Sequence, residues 1–166
     1  MSNIVYSSAK TREPIPGTSI PCAQLSSFAY APMYIDGRMF ATAEHAFQHY
    51  KCEDEAYQSM FDMTSKGYIG DDPKVAKKCG GKAFFKKNGL TLRPDWDEVR
   101  LRLMTEILDE RDLQNDSSRR ALAATGRSPL IHAGFRIDRF WGVQKTKGGR
   151  NHHGRILMAV RRMHSI

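Results

Sequence analysis

Glu44 follows Thr42 by two residues in the run Thr42-Ala43-Glu44-His45-Ala46-Phe47-Gln48. Threonine is a strong N-cap, so Glu44 falls in the first turn of a helix. The helix dipole stabilises an anion there by roughly 0.3–1 kcal/mol. Such a carboxylate suits orienting or deprotonating a water, whereas acting as a general acid would need burial to raise its pKa. The ordinary alternative is a glutamate that only supports its helix. His45 and His49 share one face, four residues apart. A zinc site of the HExxH kind has its Glu directly after the first His, but here Glu44 precedes it and no third ligand is evident. No metal is assigned, and two polar or partly buried histidines are expected.

Asp138-Arg139-Phe140-Trp141-Gly142 places an acid and an aromatic in a loop, where sites commonly lie. Trp141 would stack on a planar base and Asp138 would bind a ribose hydroxyl. A core tryptophan with a capping aspartate is the competing reading. Gly148-Gly149-Arg150-Asn151 leads into a helix start, whose free N–H groups and dipole suit a phosphate, with Arg150 or Lys147 adding charge. Trp96, just inside a capping box, is more often core than site.

The elements that position these residues follow from local signals. Ile4 to Tyr6 reads as an opening strand, within a segment 1–24 that Pro14, Pro16, Gly17 and Pro21 keep irregular. Met33 to Phe40 is a hairpin around Asp36-Gly37, a pair that supplies the positive φ angles of a tight turn. A helix follows from Ala43 to about Lys51, with Ala43, Ala46, Phe47 and Tyr50 inward. Another covers Asp54 to Met63. Asp72-Pro73 starts a short helix that stops at Gly80-Gly81. Asp95 and Glu98 frame a capping box before the longest helix, whose buried face is Val99, Leu103, Met104, Ile107 and Leu108. A helix over Ser117 to Thr125 closes at Gly126. The last begins near Asn151 or His152, with Ile156, Leu157, Val160 and Met163 inward. This is a helix-rich α+β pattern in a single compact domain with a few short strands. No βαβ alternation, GxGxxG or GxxxxGK[ST] is present.

Composition narrows the function classes. The chain has 166 residues, 40% of them hydrophobic and 27% charged, as expected of a globular domain. No apolar run approaches the roughly 20 residues of a membrane span, and Met1 to Arg12 lacks a signal peptide's apolar core. Cys22, Cys52 and Cys79 form no CxxC pair and no disulfide framework. Free thiols and a cytoplasmic location are therefore expected, with no membrane partner. The net charge of +8 favours anionic partners such as phosphates, nucleotides or nucleic acid. Lysines concentrate at Lys74, Lys77, Lys78, Lys82, Lys86 and Lys87, and basic residues again at Lys145, Lys147, Arg150 and Arg155.

The order of these pieces carries a resemblance. Leu25-Ser26-Ser27-Phe28 with Pro32, Asp36-Gly37-Arg38, and Thr42-x-Glu44-His45-x-Phe47-Gln48 with Lys51 come first. Ala76 with Gly80-Gly81, Trp96-Asp97, Leu122-x-x-Thr125-Gly126 and His132 follow. Asp138-x-x-Trp141-Gly142 and Gly149-x-Asn151-x-x-Gly154-x-x-Leu157-Met158-x-Val160-Arg161 complete the series. The set resembles the NADAR, or YbiA-like, family from about residue 25 to 162, so that segment 1–24 would be an arm or strand ahead of a NADAR-like domain over 25–166. Ser27 stands where the family often has Asn.

The resemblance implies a compact helix-rich α+β fold and N-glycosidase chemistry without a cofactor. Members hydrolyse the ribosyl N-glycosidic bond of early phosphorylated riboflavin intermediates, and others remove ADP-ribose from modified guanine bases. Carried over by position, Glu44 is the catalytic carboxylate, with Asp138 as the candidate second one. Trp96, Asp138, Trp141 and Asn151 would shape the ribosyl pocket, with Phe28 and Gly142 as further substrate-binding positions. Lys51 and Arg150 would contact phosphate. The implied partner is a phosphorylated ribosyl small molecule or ADP-ribosylated guanine, with nucleic acid possible and the oligomeric state open. A non-catalytic module binding NAD or ADP-ribose is a further alternative, against which the retained Glu44 argues. A nucleic-acid-binding protein without enzymatic activity is another, but the basic residues lack regular aromatic interleaving.

Overall fold

The computed structural model describes residues 2–7, 13–134 and 138–164. The chain forms two compact units, one of residues 30–114 and the other of 1–29 together with 115–166.

The unit of residues 30–114 opens with an antiparallel hairpin of β2 (Met33–Ile35) and β3 (Arg38–Phe40), in the register Met33↔Phe40 and Ile35↔Arg38. Asp36 and Gly37 both take positive φ, 49° and 79°, as the turn requires. α1 (Ala43–His49) is capped by Thr42, whose hydroxyl oxygen accepts from the His45 N–H at 3.3 Å. All seven α1 residues are buried, so the helix has no solvent face and the inward stripe read from periodicity is too narrow. Burying polar groups requires partners. His45 lies 2.9 Å from the Thr42 hydroxyl and 3.0 Å from the Gly70 carbonyl, and His49 lies 3.2 Å from the Gln58 carbonyl.

α2 (Glu55–Ser59) is capped by Asp54, and α3 (Pro73–Cys79) by Asp72 with proline in its first turn. The expected helix to Met63 ends early because Asp62 turns the chain, its Oδ1 accepting from the N–H groups of Met39 and Thr64 and the Thr64 hydroxyl. α4 (Lys82–Lys87) restarts directly after Gly80-Gly81, which the sequence reading treats only as a stop. α5 (Trp96–Gln114) is the longest helix and buries Leu103, Met104, Ile107 and Leu108, while Val99 is half-buried. α1 packs on α3 and α5, and Tyr57, Phe61 and Phe85 form an aromatic core with ring centroids 5.0 and 5.2 Å apart.

The other unit pairs β1 (Ile4–Tyr6) with β4 (Leu130–His132) in parallel, in the register Ile4↔Leu130 and Tyr6↔His132. A 3-10 turn at Cys22–Leu25 packs on α6 (Asp116–Ala124), and α7 (His152–Met163) packs on β4. Ile4, Tyr6, Leu25, Leu122, Leu130 and Leu157 form the core. Met163, expected inward, is 56% exposed, and the buried face of α7 turns instead toward Arg161. That guanidinium donates to the Thr125 hydroxyl and the Ser128 carbonyl. Among the described residues no helix is long and apolar enough to cross a membrane.

Candidate active site

The sequence-derived site residues divide between the units, and each set has its own geometry. In the unit of residues 30–114, Glu44 is 6% exposed. Its Oε1 accepts from Gln48 Nε2 at 2.7 Å, one helical turn along α1. The Gln48 amide donates to this carboxylate, and the first turn of a helix favours an anion. Both effects suit a group that faces a developing cation or takes a proton from water. Gln48 lies within the quoted motif but carries no role in the sequence reading. Its spacing of four from Glu44 on a helix is the signal that points to it.

Lys51 follows on the same chain segment. Its ammonium donates to the Gly80 carbonyl at 2.9 Å and lies 5.9 and 5.6 Å from the ring centroids of Phe47 and Trp96. Trp96 is buried against Phe47, with ring centroids 4.9 Å apart. Its position is set by the turn before α5. Arg93 grips the Asp95 carboxylate with two bonds, at 2.6 and 2.9 Å, while its N–H donates to the Lys51 carbonyl at 2.9 Å. The Arg93 carbonyl in turn accepts from the Trp96 N–H at 3.2 Å. Arg93 thus ties Lys51 and Trp96 to one short turn, and its guanidinium holds the Asp95 carboxyl below the usual range. The Asp95 carboxylate is engaged there, and the α5 entry is closed by its carbonyl, which accepts from Glu98 and Val99.

His45 and His49 face different backbone carbonyls, those of Gly70 and Gln58. Burial lowers both pKa values, outweighing the Gly70 carbonyl and the Asp71 and Asp72 charges at His45. The Gly70 carbonyl requires a proton on His45 Nε2, which leaves Nδ1 of the neutral ring to accept from the Thr42 hydroxyl. These rings brace α1. Among the described residues no group of three or more His, Cys, Asp or Glu could hold a metal ion.

The second set occupies the loop between β4 and α7, with Phe28 half-buried elsewhere in the same unit. Asp138 is exposed, and its Oδ1 accepts from the Phe140 N–H at 2.7 Å, closing an Asx turn. Trp141 is half-buried and meets Phe140 edge-on at 4.9 Å. Phe140 also carries the Arg150 guanidinium at 5.9 Å. Gly142 is buried, and its carbonyl leaves no space at Gly149, where a Cβ would lie 2.0 Å from it.

Asn151 takes the left-handed conformation, φ 53°, ahead of α7. Its amide clamps β4, with Oδ1 accepting from the His132 N–H at 2.9 Å and Nδ2 donating to the Leu130 carbonyl at 2.8 Å. The N–H groups of Arg150, Asn151, His152 and His153 donate to the carbonyls of Arg139, Gly142, Phe140 and Trp141. The phosphate cradle expected from free N–H groups at this helix start is therefore taken by the loop itself. The side chain of Arg150 stands exposed beside this helix start.

The NADAR domain family model matches residues 15–163. The chain is 30% identical to the N-glycosidase YbiA of Escherichia coli over 149 residues, covering 90% of this chain and 86% of that protein. It is 27% identical over 141 residues to an N-glycosidase of Nostoc punctiforme, covering 85% of each. A riboflavin biosynthesis protein of Vibrio vulnificus is 30% identical over 137 residues, which are 82% of this chain and 34% of that longer protein. The solved solution structure of Escherichia coli YbiA superposes with a TM-score of 0.75 at 25% identity, covering 99% of this chain and 87% of that one. The α+β reading of the sequence is thus borne out, and the chain belongs to the NADAR domain family, as a homologue of N-glycosidases over most of its length.

Proposed function

We propose that this chain is an N-glycosidase that hydrolyses the ribosyl–nitrogen bond of a phosphorylated nucleotide-like metabolite, with Glu44 as its catalytic carboxylate. The observation that carries the reading is the buried Glu44 carboxylate, held by Gln48 on the helix that leads to Lys51. Cleavage develops positive charge on the sugar, as in other glycoside hydrolysis. Glu44 stabilises that cation and accepts a proton from the water whose oxygen bonds to the anomeric carbon, while the bonding electrons leave with the base nitrogen, which takes up a proton from solvent to give the free base. Lys51 is the phosphate contact in the unit of residues 30–114, and Arg150 is the candidate phosphate contact in the other unit. Trp141 stacks on the departing base, and Asp138 is the second carboxylate. In the unit of residues 30–114 Trp96 lines the ribosyl site beside Lys51, and in the other unit Phe28, Gly142 and Asn151 are further proposed substrate-binding positions, Asn151 through its hold on β4. An intermediate of riboflavin synthesis is the substrate class supported by the name of the Vibrio relative. The buried free thiols of Cys22, Cys52 and Cys79 suit the reducing cytoplasm.

A second reading, removal of ADP-ribose from guanine in nucleic acid, is favoured by one observation. Lys74, Lys77, Lys78, Lys82, Lys86 and Lys87 are all exposed on α3 and α4, and no acidic residue stands between Asp72 and Asp95. Mass spectrometry separates the two. Wild type and Glu44→Gln are incubated with phosphorylated ribosylamino-pyrimidines and with ADP-ribosylated guanine nucleosides. Free base and ribose phosphate appear from the first set with wild type only, and Glu44→Gln falls by at least roughly 100-fold. Full activity in Glu44→Gln would refute the assignment.

A further inference from the structure

Gln48 has a second contact that its own helix does not supply. Gly80, the residue that closes α3, lies so near the Gln48 amide that a Cβ there would sit 1.6 Å from Oε1 and 2.4 Å from Cδ. The backbone at Gly80 has φ −83° and ψ 4°, a conformation open to residues with side chains. Space, not conformation, is what demands glycine. Gln48 Oε1 is buried and has no hydrogen-bond partner among the described residues. A buried acceptor left without a donor is uncommon in folded proteins and calls for an explanation. Here the amide nitrogen must face the Glu44 carboxylate, because an amide oxygen would be repelled by it. Its oxygen then lies against the bare Cα of Gly80. The same glycine has a second task, since its carbonyl accepts from the Lys51 ammonium at 2.9 Å.

We propose that Gly80 is a positioning residue for the reaction: its bare Cα seats the Gln48 amide so that Nε2 holds Glu44, and its carbonyl holds the Lys51 ammonium. This rests on the reading of Glu44 as the catalytic carboxylate. The C-terminal end of α3 thereby sets the geometry of two side chains carried by the α1 segment. Alanine at Gly80 drives the Gln48 amide from its seat and releases Glu44 from its donor. Misplacing a reacting group by about 1 Å costs up to roughly 100-fold in rate.

The test is a double-mutant cycle with Gly80→Ala and Gln48→Ala, assayed on whichever substrate wild type turns over. Each single variant loses roughly 10–100-fold in kcat with little change in KM. The double variant is no slower than Gln48→Ala alone, because the colliding amide is gone. Multiplicative losses overturn the proposal. Should Gly80→Ala fail to fold, the double variant recovers the fold, and failure to recover it counts equally against the collision. A readout independent of turnover is the side-chain amide resonance of Gln48 in 15N-labelled protein. It exchanges slowly in wild type and loses that protection in both Glu44→Ala and Gly80→Ala, whereas persistence in Gly80→Ala overturns the seating. An inactive Glu44→Gln beside fully active Gly80→Ala and Gln48→Ala removes the relay alone. A fully active Glu44→Gln removes the catalytic reading while the resonance still tests the seating.

Discussion

His45 and His49 are buried imidazoles whose environments resist protonation. Burial leads at both sites, and at His49 the Arg38 charge adds to it against the Gln58 carbonyl and the Asp62 and Asp36 charges. Their folded values lie below the ordinary 6.5. Between those values the unfolded chain binds more protons than the folded one, so stability is full above pH 6.5 and falls as the pH drops through the folded values. Thermal unfolding followed by circular dichroism then shows a flat Tm above neutrality and a decline on acidification that begins above the carboxylate range. His49→Gln shallows that decline, and an unchanged slope would exclude His49 as its source. At this scale the catalytic reading was open to inspection of the chain. Glu44, Lys51 and Trp96 are marked by motif order, and Gln48 by helical spacing. The tie between Gln48 and Gly80 was not, because it joins residues on two helices and depends on a side chain that is missing.

At the scale of elements, local signals were legible where the deciding chemistry is local. Asp36-Gly37 demands its turn, Thr42 and Asp72 cap their helices, and the apolar face of α5 follows from spacing. β4 escaped notice because three residues show no alternation, and its partner β1 lies near the other end of the chain. α4 escaped because Gly81 starts it without a side-chain cap. The loop before α7 makes a sharper prediction, since Asn151 combines a left-handed backbone with a clamp on β4. Asn151→Gly removes only the clamp and costs roughly 1–3 kcal/mol in urea unfolding. Asn151→Ala adds the strain of a left-handed alanine, about 1 kcal/mol more. Equal losses in the two variants would show that the backbone conformation relaxes.

The whole molecule carries a net charge of +8, and six exposed lysines on α3 and α4 concentrate part of it. If nucleic acid is a partner, fluorescence anisotropy with a labelled oligonucleotide gives an affinity that falls log-linearly with salt, by about 0.7 in slope per single-strand phosphate engaged. Lys74→Gln, Lys78→Gln, Lys82→Gln and Lys86→Gln together lower the slope. Binding that is absent at low salt instead confines the substrate to small phosphorylated metabolites.

The unit of residues 30–114 is one uninterrupted stretch, whereas its companion is assembled from segments on either side of it. A ribosome delivering this chain therefore releases Glu44, Gln48, Lys51, Gly80 and Trp96 as a complete set before β4 has been made. β1 meanwhile leaves the ribosome with Ile4 and Tyr6 lacking the strand that will cover them, and closure waits for distant residues, a slow step in folding. Birth order and pairing order thus run opposite ways: β1 is made before β2, β3 and β4 and is among the last of them to find its partner.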